Sequence, residues 1–156
     1  YSHFMDGFAY AGEALVGKYA GAADKRSLRR CVSHLFAWGW SLAAIFAFAY
    51  GVFNHEVMSL FSDKPEVVAF AAAYRWWIAL APIAGMAAFI WDGVFVGLTA
   101  TRQMLLSLAG ATAVYFAIYF LSPFPDANNS LWTAFLTYLA VRGVILWLCF
   151  ARKNEY

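Results

Sequence analysis

Charged residues are scarce in this sequence. Only 13% of its 156 residues are charged and 63% are hydrophobic, whereas soluble domains have about 25% charged and about 45 to 50% apolar residues. The formal net charge of +2 is too small to indicate a nucleic-acid surface, so no nucleic-acid partner is expected. The composition therefore predicts a membrane protein whose surroundings are a lipid bilayer.

The sequence also lacks the motifs of common catalytic and metal sites. It contains no GxSxG, HExxH, P-loop or GxGxxG pattern, and these patterns mark nucleophiles, metal ligands and phosphate-binding loops. The three histidines lie in separate segments, and Cys31 and Cys149 are isolated rather than paired in a CxxC motif. We therefore expect no enzyme, no bound cofactor and no structural metal ion.

Five stretches are apolar and approach or exceed the length of about 20 residues that a helix needs to cross the hydrocarbon core. They are residues 1–19, 31–53, 67–99, 103–122 and 130–150. The predicted fold class is all-α, a bundle of membrane-spanning helices. Because the chain opens on Tyr1 inside an apolar, helix-like stretch, we interpret residues 1–156 as a C-terminal piece of a longer protein, with the first helix cut short.

Lysine and arginine are distributed unevenly between alternate connections. Eight of the 11 basic residues lie on one side of the predicted bundle, namely Lys18, Lys25, Arg26, Arg29, Arg30, Arg102, Arg152 and Lys153. The opposite connections carry Lys64 and most of the loop acids. Because cytoplasmic loops collect lysine and arginine, the pattern predicts a multi-pass protein with a cytoplasmic C-terminus.

Four ionisable residues fall inside the predicted spans: Asp6, Glu13, Asp92 and Arg142. Asp92 precedes Arg102, at the end of the third span, by ten residues, which is about 15 Å of helix and half of a core about 30 Å thick. The same reasoning places Asp6 and Arg142 near the middle of the membrane. Glu13 lies nearer the cytoplasmic end, on the same helix face as Asp6.

Charged groups at this depth admit two interpretations. An isolated charge at a helix centre costs about 2.5 to 3.5 kcal/mol on insertion scales, so such groups usually have a partner or face water. Asp92 and Arg142 could form a structural ion pair that locks two helices. Alternatively, Asp92 or Asp6 could exchange a proton or Na⁺, because burial favours the neutral acid and a nearby cation favours the charged one.

Three motifs that include some of these residues resemble those of one transporter family. The stretches "MDGFAYAGEALVGKYAGA", "FIWDGVFVGLTATRQM" and "NSLWTAFLTYLAVRG" are similar, in this order, to motifs of the eighth, tenth and twelfth helices of multidrug and toxic compound extrusion (MATE) transporters. Within that family they resemble the DinF-like branch. The resemblance covers nearly the whole chain.

The resemblance implies a fold, a location and an activity. It implies 12 helices in two six-helix lobes in the cell inner membrane, with this chain running from the end of the eighth helix to the twelfth, so that an N-terminal lobe would be a partner. It also implies antiport, in which cationic or amphipathic organic compounds leave in exchange for H⁺ or Na⁺. Asp92 matches an acid of the cation site in Na⁺-coupled relatives, and Asp6, Glu13 and Arg142 match the branch's pattern.

Two other functions remain compatible with the residues. One is a flippase for lipid-linked precursors, because the wider superfamily includes such proteins. The other is a structural membrane subunit in which Asp92 and Arg142 hold helices together.

The lysine and arginine pattern makes a testable prediction about orientation. In a variant without Cys31 and Cys149, a cysteine introduced as Arg26→Cys should react with a membrane-impermeant reagent only after the cells are permeabilised. A cysteine introduced as Asp63→Cys is the control and should react in intact cells. Labelling of position 26 from outside intact cells would contradict the predicted orientation.

Overall fold

The computed structural model describes residues 1–121 and 126–152, and these residues form helices joined by short connections. The helices are α1 (Ser2–Gly21), α2 (Lys25–Val52), α3 (Asn54–Ser59), α4 (Pro65–Ala73), α5 (Arg75–Gly97), α6 (Thr101–Leu121) and α7 (Ala127–Arg152). The described residues contain no strand, so the predicted all-α class is confirmed. Part of the predicted connection before 130 and the basic residue Lys153 lie outside the described residues.

In the part of the chain that the structure describes, four helices are long and apolar enough to cross a membrane: α2, α5, α6 and α7. The structure begins α2 at Lys25, six residues before the predicted apolar span, because basic residues extend the helix beyond its hydrophobic part. The Asp24 carboxylate caps this helix by accepting a hydrogen bond from the Ser27 N–H at 3.0 Å. Bonding from the Ser27 side chain and backbone holds the pKa of Asp24 below its usual value, so the cap is charged at neutral pH.

The third predicted span, 67–99, is divided between two helices. The break lies at Tyr74, whose φ of −102° and ψ of 10° leave the helical range. Its N–H bonds to the Ala71 carbonyl three residues back, which ends α4 in a tight turn. The prediction of one continuous helix was wrong here because hydropathy registers apolar length and not a turn at a single residue. The connection before α4 also contains the short helix α3, which was not predicted.

Helix α5 is the centre of the bundle. In its apolar window 56% of the residues are buried, compared with 17% in α2, 11% in α6 and 22% in α7. It packs against α1, α2 and α7, whereas α6 packs mainly against α7. The side chains of Met86, Ile90, Val94 and Phe95 are fully buried around it.

Glycines allow the neighbouring helices to approach α5 closely. A Cβ atom at Gly93 would collide with the backbone of Ala9 in α1, and one at Gly97 would lie 2.7 Å from the Glu13 carbonyl oxygen. In both cases the obstacle is helix backbone, which cannot swing aside as a flexible side chain can. The contact between α1 and α5 therefore requires glycine at these positions.

This contact predicts the effect of adding one methyl group. Gly93→Ala should lower the stability of the intact protein by about 1 to 3 kcal/mol, because it forces α1 away from α5. Gly7→Ala is the matched control, since no atom lies within 4 Å of a Cβ placed there, and it should be neutral or slightly stabilising through helix propensity. Thermal unfolding in detergent measures both, and equal melting temperatures would contradict the predicted close packing.

Candidate functional site

An ion pair joins α5 to α7 inside the bundle. Arg142 donates a hydrogen bond from Nη2 to Oδ1 of Asp92 at 2.8 Å. The side chain of Arg142 is only 20% exposed and that of Asp92 only 26%, so the pair is largely buried within the bundle. At this distance it is a charge-assisted hydrogen bond, which is stronger than a neutral one.

Close packing of small residues brings this arginine to the aspartate. A Cβ at Gly143 would lie 2.9 Å from the Ala87 side chain, and a Cβ at Gly85 would lie 3.4 Å from Leu139. The backbones of α5 and α7 therefore approach closely next to the ion pair. Because Gly143 directly follows Arg142, the contact fixes the height at which the guanidinium meets α5.

The guanidinium of Arg142 is not fully satisfied by the described residues. Its Nε atom is buried and has no hydrogen-bond partner among them. A buried donor without a partner is costly, on the order of 1 to 3 kcal/mol. The arginine therefore retains capacity for one more acceptor beyond Asp92.

Asp92 faces away from α2. Ile90 marks the side of α5 that packs on α2, because it contacts the position of Gly39. Asp92 follows Ile90 by two residues, which places it about 160° around the helix from that contact. Val96, one turn further on, is 38% exposed, so this side of α5 is open within the described chain.

Asp6 and Glu13 lie on the corresponding side of α1. Gly12 marks the side of α1 that meets α2, since its position is 3.2 Å from Leu35, and Ala9 faces α5. Asp6 comes three residues before Ala9, and Gly12 comes three residues after it. The two therefore lie on opposite sides of Ala9, each about 60° around the helix from it. Glu13 is about 100° around α1 from Gly12. Both acids therefore point away from α2, as Asp92 does.

The packing register places these acids at similar heights. Ala9 adjoins Gly93 and Glu13 adjoins Gly97, which aligns Asp6 with Ile90. Asp6 is thus two residues, about 3 Å along the bundle, from the level of Asp92, and Glu13 is about 7.5 Å from it. We call the open side formed by Asp6, Glu13, Asp92 and Arg142 the acidic face.

The residues of the acidic face differ in their exposure and in their partners. The Asp6 side chain is 46% exposed and lies 3.9 Å from the Nδ1 of His3, and Glu13 is exposed. Within the described part of the chain, Arg142 pairs with Asp92 and with neither of these acids. No group of three His, Cys, Asp or Glu side chains among the described residues is close enough to hold a metal ion.

One contact of α1 with α2 and α5 had no signal in the sequence. The Tyr1 hydroxyl donates a hydrogen bond to the Pro82 carbonyl oxygen at 2.8 Å, and the Tyr1 ring packs edge-on against Phe46 and Phe89. The residues are 81 positions apart, so only the helix packing reveals that they meet. The contact ties the start of α1 to the proline-containing turn of α5.

Several long apolar helices around a charged pair define a polytopic α-helical membrane protein. The chain belongs to the MatE family, whose model matches residues 1–123. This confirms the resemblance inferred from the three motifs. Members of the family are transporters and not enzymes, so the expectation that the chain is not an enzyme is also confirmed.

One curated relative matches along most of the chain. It is "DNA damage-inducible protein F" of Escherichia coli (strain K12), which is 30% identical over 145 residues. The match covers 93% of this chain and 31% of that protein, so the chain spans about a third of its relative's length. No solved structure gives a significant match.

The ion pair predicts a measurable coupling between its two residues. In the intact protein, Asp92→Asn and Arg142→Gln should each lower stability, and the double variant should lose less than the sum of the two. The expected coupling is about 1.5 to 3 kcal/mol, as for hydrogen bonds to charged groups. Thermal or denaturant unfolding of the four proteins measures it, and strictly additive losses would contradict a formed pair.

Proposed function

We propose that the intact protein is a secondary active antiporter that exports cationic or amphipathic organic compounds in exchange for H⁺ or Na⁺. The observation that carries this proposal is the acidic face, which combines three carboxylates on α1 and α5 with a single arginine that is paired with Asp92. Its excess of negative charge suits a cation, and the exposed acids Asp6 and Glu13 are accessible to one. Membership of a transporter family supports the same activity.

The ion pair supplies a means of coupling. While Arg142 binds Asp92, this carboxylate is neutralised without an ion from outside. A proton or Na⁺ bound to Asp92 releases the guanidinium, whose buried Nε has no hydrogen-bond partner among the described residues. Since α5 and α7 are joined at this point, exchange of the partner changes how firmly the two helices are held together. An ion that binds one arrangement better than the other shifts the balance between them.

Alternating access requires a second lobe. Transporters of this kind move two structural repeats around a shared site, and the chain spans about a third of its relative. We therefore propose an N-terminal lobe of the same protein as the partner that closes the acidic face. We further propose residence in the cell inner membrane, with residues 20–30 and the C-terminus in the cytoplasm.

A flippase for lipid-linked precursors would need a binding surface with the opposite balance of charge. Its substrate carries negative charge, which several cations in the cavity would bind. On the acidic face three acids oppose one arginine, and Arg142 is already paired with Asp92. The charge balance therefore favours a cationic substrate.

Transport by charge-neutral variants tests the proposal. In vesicles that contain the intact protein, Asp92→Asn should preserve binding of a fluorescent organic cation but abolish its transport against a pH or Na⁺ gradient. Glu66→Gln is the matched control, because this exposed acid lies in the first turn of α4, away from the acidic face, and it should transport normally.

The double variant separates coupling from structure. If Asp92 only neutralises Arg142, then Asp92→Asn combined with Arg142→Leu should recover both stability and transport. If Asp92 exchanges the coupling ion, the double variant should recover stability but remain inactive. Recovered transport would contradict the coupling role and leave Asp92 as a structural residue.

A further inference from the structure

A groove between α1 and α2 combines polar and apolar walls. It has a volume of about 380 Å³ and includes Tyr19 of α1 together with Ser27, Arg30, His34 and Trp38 of α2. The four residues of α2 follow one another at intervals of three or four, so they form one stripe along the helix. The groove is therefore polar at the start of α2 and becomes apolar and aromatic towards Trp38, which is 66% exposed.

The polar end of the groove lies in a strongly basic part of the chain. Residues 18–30 contain five basic residues and a single acid, Asp24. That acid is engaged at the N-terminus of α2 through its hydrogen bond with Ser27. Within the described residues Arg30 forms no ion pair with a carboxylate, so the guanidinium is free to bind an anion.

The length of α2 places Arg30 near the membrane surface. Its 28 residues extend about 42 Å, which exceeds a hydrocarbon core of about 30 Å by about 12 Å. Arg30 is about 7.5 Å from the basic start of this helix, within the excess length. Trp38 lies about 12 Å deeper than Arg30, about 7.5 Å inside the hydrocarbon core. Basic residues at such a boundary are typical of segments next to the lipid headgroups.

We propose that this groove is a binding site for one anionic phospholipid. The lipid phosphate accepts hydrogen bonds from the Arg30 guanidinium, with His34 beside it. An acyl chain of the lipid lies along Leu15 and Trp38, which form the apolar wall. The basic residues of 18–30 add the longer-range attraction that basic segments next to a membrane provide for negatively charged lipids.

Two features favour a membrane lipid as the occupant. The apolar wall extends from the phosphate position into the depth of the bilayer, so the site matches a molecule with both a charged head and a hydrocarbon chain. The site is also separate from the acidic face. Leu15 is two residues after Glu13, about 160° around α1 from it, so the anion and a transported cation occupy opposite sides of this helix.

Native mass spectrometry of the intact, detergent-purified protein tests the site. Phosphatidylglycerol is titrated against phosphatidylcholine with the same acyl chains, and the wild type should bind the anionic lipid more tightly. Arg30→Gln should weaken phosphatidylglycerol binding about fivefold, the effect expected for one basic group next to a lipid headgroup. Trp38→Ala should also weaken binding by removing the apolar wall.

Arg29→Gln is the matched control. It removes the same charge from the neighbouring position, which is exposed but does not line the groove, and phosphatidylglycerol binding should be affected much less. Equal losses in the Arg29 and Arg30 variants would overturn the proposal in favour of a diffuse attraction. Equal affinity for the two lipids, or displacement of the bound lipid by inorganic phosphate, would overturn it as well.

Discussion

The close approach of helix backbones around α5 is the constraint on which the rest of the structure depends. Without a hydrophobic driving force between helices in lipid, association relies on tight packing, which small residues permit. Gly93 and Gly97 bring α1 against one side of α5, and Gly143 brings α7 against another. These contacts set the heights of the four ionisable residues relative to one another. A larger residue at any of these glycines would move a charged group as well as a helix.

The ion pair between Asp92 and Arg142 lowers the free-energy cost of burying two charges, but it adds little stability compared with apolar residues. Each charge alone would be expensive inside the bundle, and pairing removes most of that cost. A pair kept only for stability gains little over apolar residues of similar volume, because the desolvation of two charges offsets their attraction. Asp92 is partly exposed, and the Nε atom of Arg142 has no partner within residues 1–121 and 126–152. Both observations suit a pair that can exchange partners. This is why the proposed coupling role places the switch here rather than at the exposed Asp6 or Glu13.

The sequence predicts the relative heights of residues along the bundle better than their direction around a helix. Counting residues from basic helix ends places Asp92, Arg142 and Asp6 near one level, and the structure aligns them to within a turn. Two interpretations of Asp92 and Arg142 stayed open, because hydropathy does not indicate which helices are neighbours. The contact between Tyr1 and Pro82 and the turn at Tyr74 had no signal for a similar reason. Both depend on packing between distant segments or on the bonding of a single residue.

Helix α1 separates two surfaces of opposite charge. The acidic face lies on the side away from α2, and the basic groove lies between α1 and α2 near the end of the chain's first helix. A helix with its side chains is about 10 Å across, which is enough to keep an organic cation and a lipid phosphate from binding one another. Residues 18–30 contain five basic residues and one acid, which leaves four net positive charges, and one lipid anion in the groove would offset one of them. The two surfaces would therefore keep opposite charges even with the proposed lipid bound.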